Sequence, residues 1–443
     1  MKQGLKFVTE PARHIPVSLQ ADVVVCGGGP SGFIAAIAAA RNGANTLLIE
    51  QYGFLGGMAT TALVGPISKF NFRGERIVSG IPEEFINEMA ARGGAIIDLP
   101  SGNVPYDPEE YKYVSMLMVE EAGVRILLHT NVVNCMEDQN MPGGITHLIV
   151  ENKSGRQAIE TKYVIDCTGT GDVVSKSSLP WVMRNQKGSE LQPMTLYFRL
   201  GGVETDQLVL LAAEDGVKYA SKELNDLLAG EVSAGRLSNF GGPWAVHGST
   251  IRDGEVSVNA TRYSGDATCG TDMSDAERKL RKDVYKILRI FRERAPAFRN
   301  AYLIDTATQV GIRETRGIIG LYTMDDKDIL HPQSFYDTIA YGGHPVDIHK
   351  AKDAKQEVNF LRAPYPIPFR SIVPRGSHNL LVAGGCISAT REAFASIRVQ
   401  AQCMALGQAA GTAAALCVDR NLGVSTLDGR FLNTILKEQQ AFV

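Results

Sequence analysis

The 443-residue chain has no Cys-x-x-Cys pair. Its cysteines are an odd, scattered set: Cys26, Cys135, Cys167, Cys269, Cys386, Cys403 and Cys417. That argues against vicinal-dithiol redox chemistry and against a disulfide framework, and it reads as reduced, mostly buried thiols in a cytoplasmic protein. No His-Glu-x-x-His, His-x-His or Cys/His cluster marks a metal site. No stretch of about 18 uninterrupted apolar residues occurs, so no membrane span is expected. The best candidate, 404–418, is broken by Gln408 and Thr412. The first residues lack the apolar core of a secretory signal. An excess of one charge is missing too: 45 Lys plus Arg against 48 Asp plus Glu leave a formal −3. A general affinity for nucleic acid is therefore not expected.

Glycine, in contrast, is abundant: 45 of 443 residues, above the usual ~7%. Such an excess points to tight turns or to backbone that closely approaches a ligand. A hydrophobic content of 44% excludes wholesale disorder. At about 150 residues per domain, the length suggests three domains or two large ones.

Residues 21–50 form the clearest unit. A β-branched run, 21–26, reads as a buried parallel strand. A glycine turn follows, then an Ala-rich helix from Phe33 to Asn42 ended by Gly43, then a strand at 46–50. Gly27-x-Gly29-x-x-Gly32 matches the dinucleotide fingerprint: Gly27 for the turn, Gly29 for close approach of a pyrophosphate, Gly32 for helix–strand packing. The helix near Pro30 and Ser31 would aim free N–H groups at the phosphates. Glu50, 50 − 27 = 23 residues after Gly27, is placed to accept from a ribose diol.

Further along, helices are expected at 82–92 and 108–123, and short strands at 125–130, 132–137, 145–151 and 157–161, in a meander. An apolar strand at 163–168 runs into Gly169-Thr170-Gly171-Asp172. Strands at 196–200 and 256–261 follow. A long helix is expected at 274–295, opened by a Ser274/Glu277 capping box. Residues 364–368 read as a rigid extended connector, 380–383 as a buried strand, and 396–418 as a long small-residue helix. The resulting fold class is α/β: a doubly wound parallel sheet with a β-meander, built from 1–175 (lid elements about 60–122) and 365–443. Residues 176–364 form an inserted α+β substrate-binding domain. No second glycine fingerprint supports a separate NAD(P)H domain.

Gly32-x-x-x-Ala36, Gly43 and Glu50 followed by Gly56-Gly57 resemble the FAD-binding pattern of glutathione-reductase-type flavoproteins. More narrowly, the strings 53–60, 311–322 and 379–415 resemble the FAD-dependent oxidoreductase family, distantly similar to thiazole synthases and heterodisulfide reductase flavin subunits. The resemblance implies bound FAD. It implies contacts from Gly56, Gly57, Met58, Ala59 and Thr60, from Val132 beside adenine, and from Cys167, Thr168, Gly169 and Asp172. It also implies that Gly384 and Gly385 return to the flavin, with Ile397, Arg398 and Val399 near its pyrimidine edge. The chain departs from many such proteins at Gly384-Gly385-Cys386, where they carry an Asp for the ribityl hydroxyls.

On the substrate side, Tyr341, His344 and His349 are candidates for proton transfer, and Arg313 or Arg391 for anchoring. Arg313 and Arg316 could equally form an ion-pair cluster with Glu314. Trp244 and His247 could line a pocket. The expected function is hydride transfer between a small polar metabolite (alcohol, amine or C–C bond) and flavin N5. Oxygen, a quinone or a protein would be the electron acceptor, and a homo-oligomer is compatible with this. Two alternatives are a thiazole-synthase-like enzyme that consumes the dinucleotide and a flavin-containing tRNA-modifying or scaffold protein.

Overall fold

The computed structural model describes residues 8–98, 100–185, 190–212, 218–220, 222–246, 250–350 and 356–443. Its first unit runs β1 (Val17–Cys26), α1 (Pro30–Arg41) and β2 (Thr46–Ile49). Pro30 sits at the first helical position, where its missing N–H costs nothing. Asn42 ends the helix, and Gly43 follows at φ +88°.

α2 (Ile81–Ala91) and α3 (Pro108–Glu121) come next, then β3 (Arg125–Leu127), β4 (Asn131–Glu137), β5 (Ile145–Asn152) and β6 (Gly155–Asp166). Asp107 caps α3 by accepting the Glu109 N–H at 2.8 Å. Phe33, Phe85 and Tyr111 pack together from the three helices, with centroids 4.9 and 4.7 Å apart along the chain of rings.

The two strands expected at 157–161 and 163–168 are one, β6. Its first half pairs antiparallel with β5, and from Ala158 to Asp166 it runs parallel to β1. A single strand thus serves the meander and the parallel sheet. The seven-stranded sheet has the order β3-β2-β1-β6-β5-β4, with the C-terminal strand β15 described below on β6.

The middle segment forms β7 (Phe198–Gly201), β8 (Trp244–Val246), β9 (Val256–Asn259), α4 (Gly270–Arg294) and β10 (Tyr302–Thr306). The sheet β8-β9-β7-β10 is antiparallel. It shares a second hydrophobic core with Leu280, Val284, Ile287 and Phe291 of α4. α4 starts at Gly270 after Cys269, so the capping box at Ser274 does not form. Ser274 lies inside the helix and donates to Gly270 O at 2.8 Å.

From Ile318 onward the chain re-enters the first core. β11 (Thr338–Gly342) and β12 (Val346–His349) are followed by β13 (Gln356–Asn359), β14 (Tyr365–Pro368) and β15 (Leu380–Val382). The proline-rich 364–368 segment is not a bare connector: β14 is buried and pairs with β11. β12 pairs with β13, and β15 lies parallel to β6.

The single expected helix at 396–418 is two, α5 (Arg391–Ile397) and α6 (Gln400–Arg420), broken at Arg398 and Val399. Among the described residues α6 alone is long and apolar enough to cross a membrane. Of its most apolar window, 83% is buried inside the protein. It packs on α1 so closely that a Cβ at Gly407 would lie 2.2 Å from Ser31 O, and one at Gly411 2.1 Å from Ala35 O. Gly411→Val should therefore push the two helices apart and cost about 3 kcal/mol or more, read as a lowered Tm and earlier urea unfolding; an unchanged Tm would contradict this packing.

Candidate functional site

The loops leaving the C-terminal ends of β1, β6 and β15 interlock. Gly27 holds φ +97°, and a Cβ there would lie 2.6 Å from the Cys167 carbonyl oxygen. At Gly32 a Cβ would lie 1.7 Å from Gly27 O, and at Gly385 2.6 Å from Gly169 O. Gly29 is different: the nearest atom to its Cβ position is Gly57 Cα at 3.7 Å. Its open side faces a cavity of about 630 Å³ that runs from Gly29 and Ser31 past Glu50 and Val132 to Arg398 and His349.

Two helices begin on this cavity without a side-chain cap. α1 starts at Gly29 and α6 at Val399. Their positive dipole ends are therefore left for a ligand, although in α1 Pro30 has no N–H and Gly32 N donates to Gly29 O at 2.9 Å. Glu50 Oε2 accepts from Gly28 N at 2.6 Å and Oε1 from Tyr52 N at 2.9 Å. Burial pushes its pKa up against those hydrogen bonds. Each oxygen keeps a lone pair for a diol. Thr130 and Val132 lie alongside on the wall, and Thr130 N donates to Glu50 O at 3.0 Å.

Pro30, Gly57, Met58 and Cys167 also line the cavity, as do Thr168, Gly169, Asp172, Gly384, Gly385 and Val399. Gly32, Gly56, Ala59, Thr60 and Ile397 lie behind the wall. Thr60 Oγ1, for example, donates to Leu55 O at 2.7 Å, and Ile397 is core. Cys386 is also off the wall, and burial raises its thiol pKa far above the ordinary range. Sequence reasoning missed Asp166. This buried carboxylate accepts from Thr168 N and Oγ1 at 3.0 and 2.7 Å, and from Val173 N and Val174 N at 3.0 Å, which ties down the loop after β6.

At the other end of the cavity, Asp347 and His349 occupy alternate positions of β12 and share a side. His349 Nε2 lies 3.1 Å from Asp347 Oδ2, and Nδ1 lies 3.4 Å from Arg262 Nη2. A guanidinium only donates, so Nδ1 accepts and the Nε2–H donates; neither nitrogen is left over. Burial and then Arg313 lower the His349 pKa to about 3, against Asp347. Burial opposes the charge on Asp347, but His349 and Arg398 hold its carboxyl well below the usual carboxylate range.

His344 is arranged differently. Its Nδ1 lies 2.8 Å from Pro345 O and so carries the hydrogen. No hydrogen bond among the described residues engages Nε2. Burial lowers its pKa, with Asp347 opposing and Arg398 assisting. Arg313 is buried on the wall and donates from Nη1 to Pro193 O and Thr195 Oγ1 at 2.6 and 2.7 Å. Arg391 does not line the cavity. It pairs with Glu314 at 3.0 Å and donates to Glu190 O at 2.7 Å. Arg313, Glu314 and Arg316 thus form no cluster: Arg316 turns to Asp172 and Glu314 to Arg391 and Gln192. Tyr341 packs on Phe442. His247 and the Trp244 side chain lie outside the described residues.

The parallel sheet, its glycine turn and the uncapped helix starts define a nucleotide-binding flavoprotein. The chain belongs to the FAD dependent oxidoreductase family, whose model matches residues 22–436, and FAD is its cofactor. It is similar to digeranylgeranylglycerophospholipid reductase of Methanocaldococcus jannaschii, at 31% identity over 33% of this chain and 38% of that protein. It is also similar to dihydrolipoyl dehydrogenase of Trypanosoma brucei brucei, at 32% over 40% and 34%. A third relative is thiamine thiazole synthase of Pyrococcus horikoshii, at 28% over 37% and 63%. The chain spans about a third of the length of the first two of these curated relatives. A solved geranylgeranyl bacteriochlorophyll reductase-like protein of Thermoplasma acidophilum aligns over 95% of this chain and 84% of its own, with TM-score 0.49 and 12% identity.

Gly29→Val should leave the fold intact, because only Gly57 lies near the new side chain, yet fill the place of the diphosphate. The purified variant is expected to lose at least nine-tenths of its 450 nm absorbance per chain, with the far-ultraviolet circular dichroism unchanged. Stability should also depend on pH through His349. An unfolded histidine titrates near 6.5, while His349 in the fold titrates at about 3. Between those values the unfolded chain binds a proton that the folded protein refuses, so stability falls as pH drops from 6.5 toward 3. His349→Asn should flatten that fall in a plot of Tm against pH.

Proposed function

We propose that the protein oxidises a small polar metabolite, an alcohol, amine or C–C single bond, with His344 as the proton acceptor. Bound FAD supplies a two-electron acceptor for hydride at N5. The α1 N-terminus and Gly29 would hold its diphosphate, Glu50 its ribose, Val132 the adenine side, and Gly384, Gly385 and the α6 N-terminus its flavin side.

The observation that carries the reading is the hydrogen-bond state of His344. Its Nδ1–H is fixed on Pro345 O, and among the described residues its Nε2 has no hydrogen-bond partner on the cavity wall. A neutral imidazole in that state accepts a hydroxyl or amine proton through Nε2. The depressed pKa keeps it neutral at pH 7. His349, with both nitrogens engaged, positions Asp347 instead of taking a proton.

An anaerobic screen of metabolites for bleaching of the flavin band identifies the substrate. With that substrate, His344→Gln should keep its FAD and slow single-turnover reduction by about 10²–10⁴-fold. Wild-type reduction should also slow as pH falls through a midpoint below 6.5, where His344 gains its proton, and the variant should lose that limb. An equal reduction rate in the two proteins would remove His344 from this role.

A further inference from the structure

The His344 end of the cavity holds more positive charge than the protein neutralises. Arg313 is on the wall, Arg262 lies just behind it, and Arg398 also lines the cavity. Among the described residues two carboxylates, Asp347 and Glu314, act on this group, and Asp347 is engaged by His349 at 3.1 Å and Arg398 at 3.4 Å. Glu314, the neighbour of Arg313 in sequence, is taken up by Arg391 and Gln192.

The partners of the two remaining guanidiniums are neutral. Arg313 donates to Pro193 O, to Thr195 Oγ1 and, at 3.5 Å, to Asn259 Oδ1. Arg262 donates to the same Thr195 Oγ1 at 2.8 Å, to Asn259 Oδ1 at 2.7 Å and to Thr261 O at 2.8 Å, and it faces His349 Nδ1. Two buried cations share two neutral acceptors. Burial pushes both pKa values down: that of Arg313 to about 10, with Arg398 assisting and Tyr197, Asp347 and Glu314 opposing, and that of Arg262 with Arg313 assisting. Buried charges are otherwise paired, because desolvation is costly without a counter-charge. The pairing partner missing here is an anion.

The free donors of Arg313 set its shape. Nη1 is used twice, Nη2 makes only the 3.5 Å contact, and Nε has no partner among the described residues. Nε and Nη2 form the side of the guanidinium fork that meets a planar carboxylate with two parallel bonds. His349 and the His344 base belong to the same end of the cavity.

We infer that Arg313, backed by Arg262, binds a carboxylate of the substrate, so that the metabolite oxidised here is a small carboxylic acid. This rests on the proposed reading of the cavity as a substrate site. It restricts the three oxidisable groups considered above to ones borne by an acid.

The test uses the FAD-loaded protein and measures Kd from flavin difference spectra and Tm shifts. The probes are acetate, lactate, malonate and succinate, the corresponding amides, and inorganic phosphate. At least one acid should bind, its amide at least tenfold more weakly, and the Kd of the acid should rise with salt. Arg313→Gln should weaken acid binding at least tenfold at unchanged FAD content, with Arg313→Lys intermediate. No acid binding, amides binding as well as acids, phosphate outcompeting every acid, or an unchanged acid Kd in Arg313→Gln overturns the inference. If Arg313→Gln does not fold, the acid-against-amide comparison on the wild type decides. Acid binding with no bleaching by any metabolite sinks the redox reading but keeps the anion site. Bleaching by neutral alcohols or amines alone keeps the redox reading and sinks the carboxylate.

Discussion

Backbone packed on backbone, with no space for a side chain between, is the constraint from which the rest of this structure follows. The turn after β1 lies against the loop after β6 at Gly27, and that loop lies against the one after β15 at Gly385. A Cβ at Gly384 would meet Ser31 Oγ at 2.7 Å, so the C-terminal segment also touches the first helix. α1 and α6 approach through Gly407 and Gly411 in the same manner. The contacts of Gly384, Gly407 and Gly411 with the first helix hold together segments more than 350 residues apart in the chain, and the packing sets two helix N-termini on one cavity.

That placement brings the guanidiniums of Arg313, Arg316 and Arg398 and the carboxylates of Glu50, Asp172, Glu314 and Asp347 onto one cavity. Two uncapped helix starts face it, with Arg313 and Arg398 on its wall. The acidic side chains nearby are spent internally: Glu50 on the N–H groups of Gly28 and Tyr52, Asp166 on its own loop, Asp347 on His349 and Arg398. The uncapped helix starts suit an anion such as a diphosphate at one end. At the other, no carboxylate among the described residues hydrogen-bonds to Arg313.

The sequence was most legible where one segment carries its own signal. The strand, glycine turn and helix at 21–43 are local, as are the apolar strand at Leu380–Val382 and the approximate course of α2 and α3. Legibility failed where a partner decides. β6 reads as two strands because its neighbour changes from antiparallel β5 to parallel β15 along its length, while β1 flanks it on the other side. Pro366 and Pro368 looked like a connector because their lack of N–H groups hides a strand that pairs through the remaining positions. The break at Arg398 has no Gly or Pro to announce it. Asn259 on the wall and Arg262 behind it come to the cavity end only through the antiparallel sheet of the middle segment and the turn after it, and no motif marks them. The Asp347/His349 pair did carry a usable sign, since residues two apart in a strand share a face.

The two histidines show why geometry, more than titration, assigns roles here. Both lie in the same cavity and burial lowers the pKa of both, so each is neutral at pH 7 and pKa alone does not choose between them. Each ring has one N–H and one lone pair. In His349 the N–H goes to Asp347 and the lone pair to Arg262, a residue that only donates. In His344 the N–H goes to a backbone carbonyl, and the lone pair is left to the cavity. Arg262 therefore does two things: it adds the unmatched charge behind Arg313, and by occupying His349 it leaves a single imidazole free to take a proton. The proposed anchoring and the proposed base assignment thus depend on the same buried guanidinium, although Arg262 itself lies off the cavity wall.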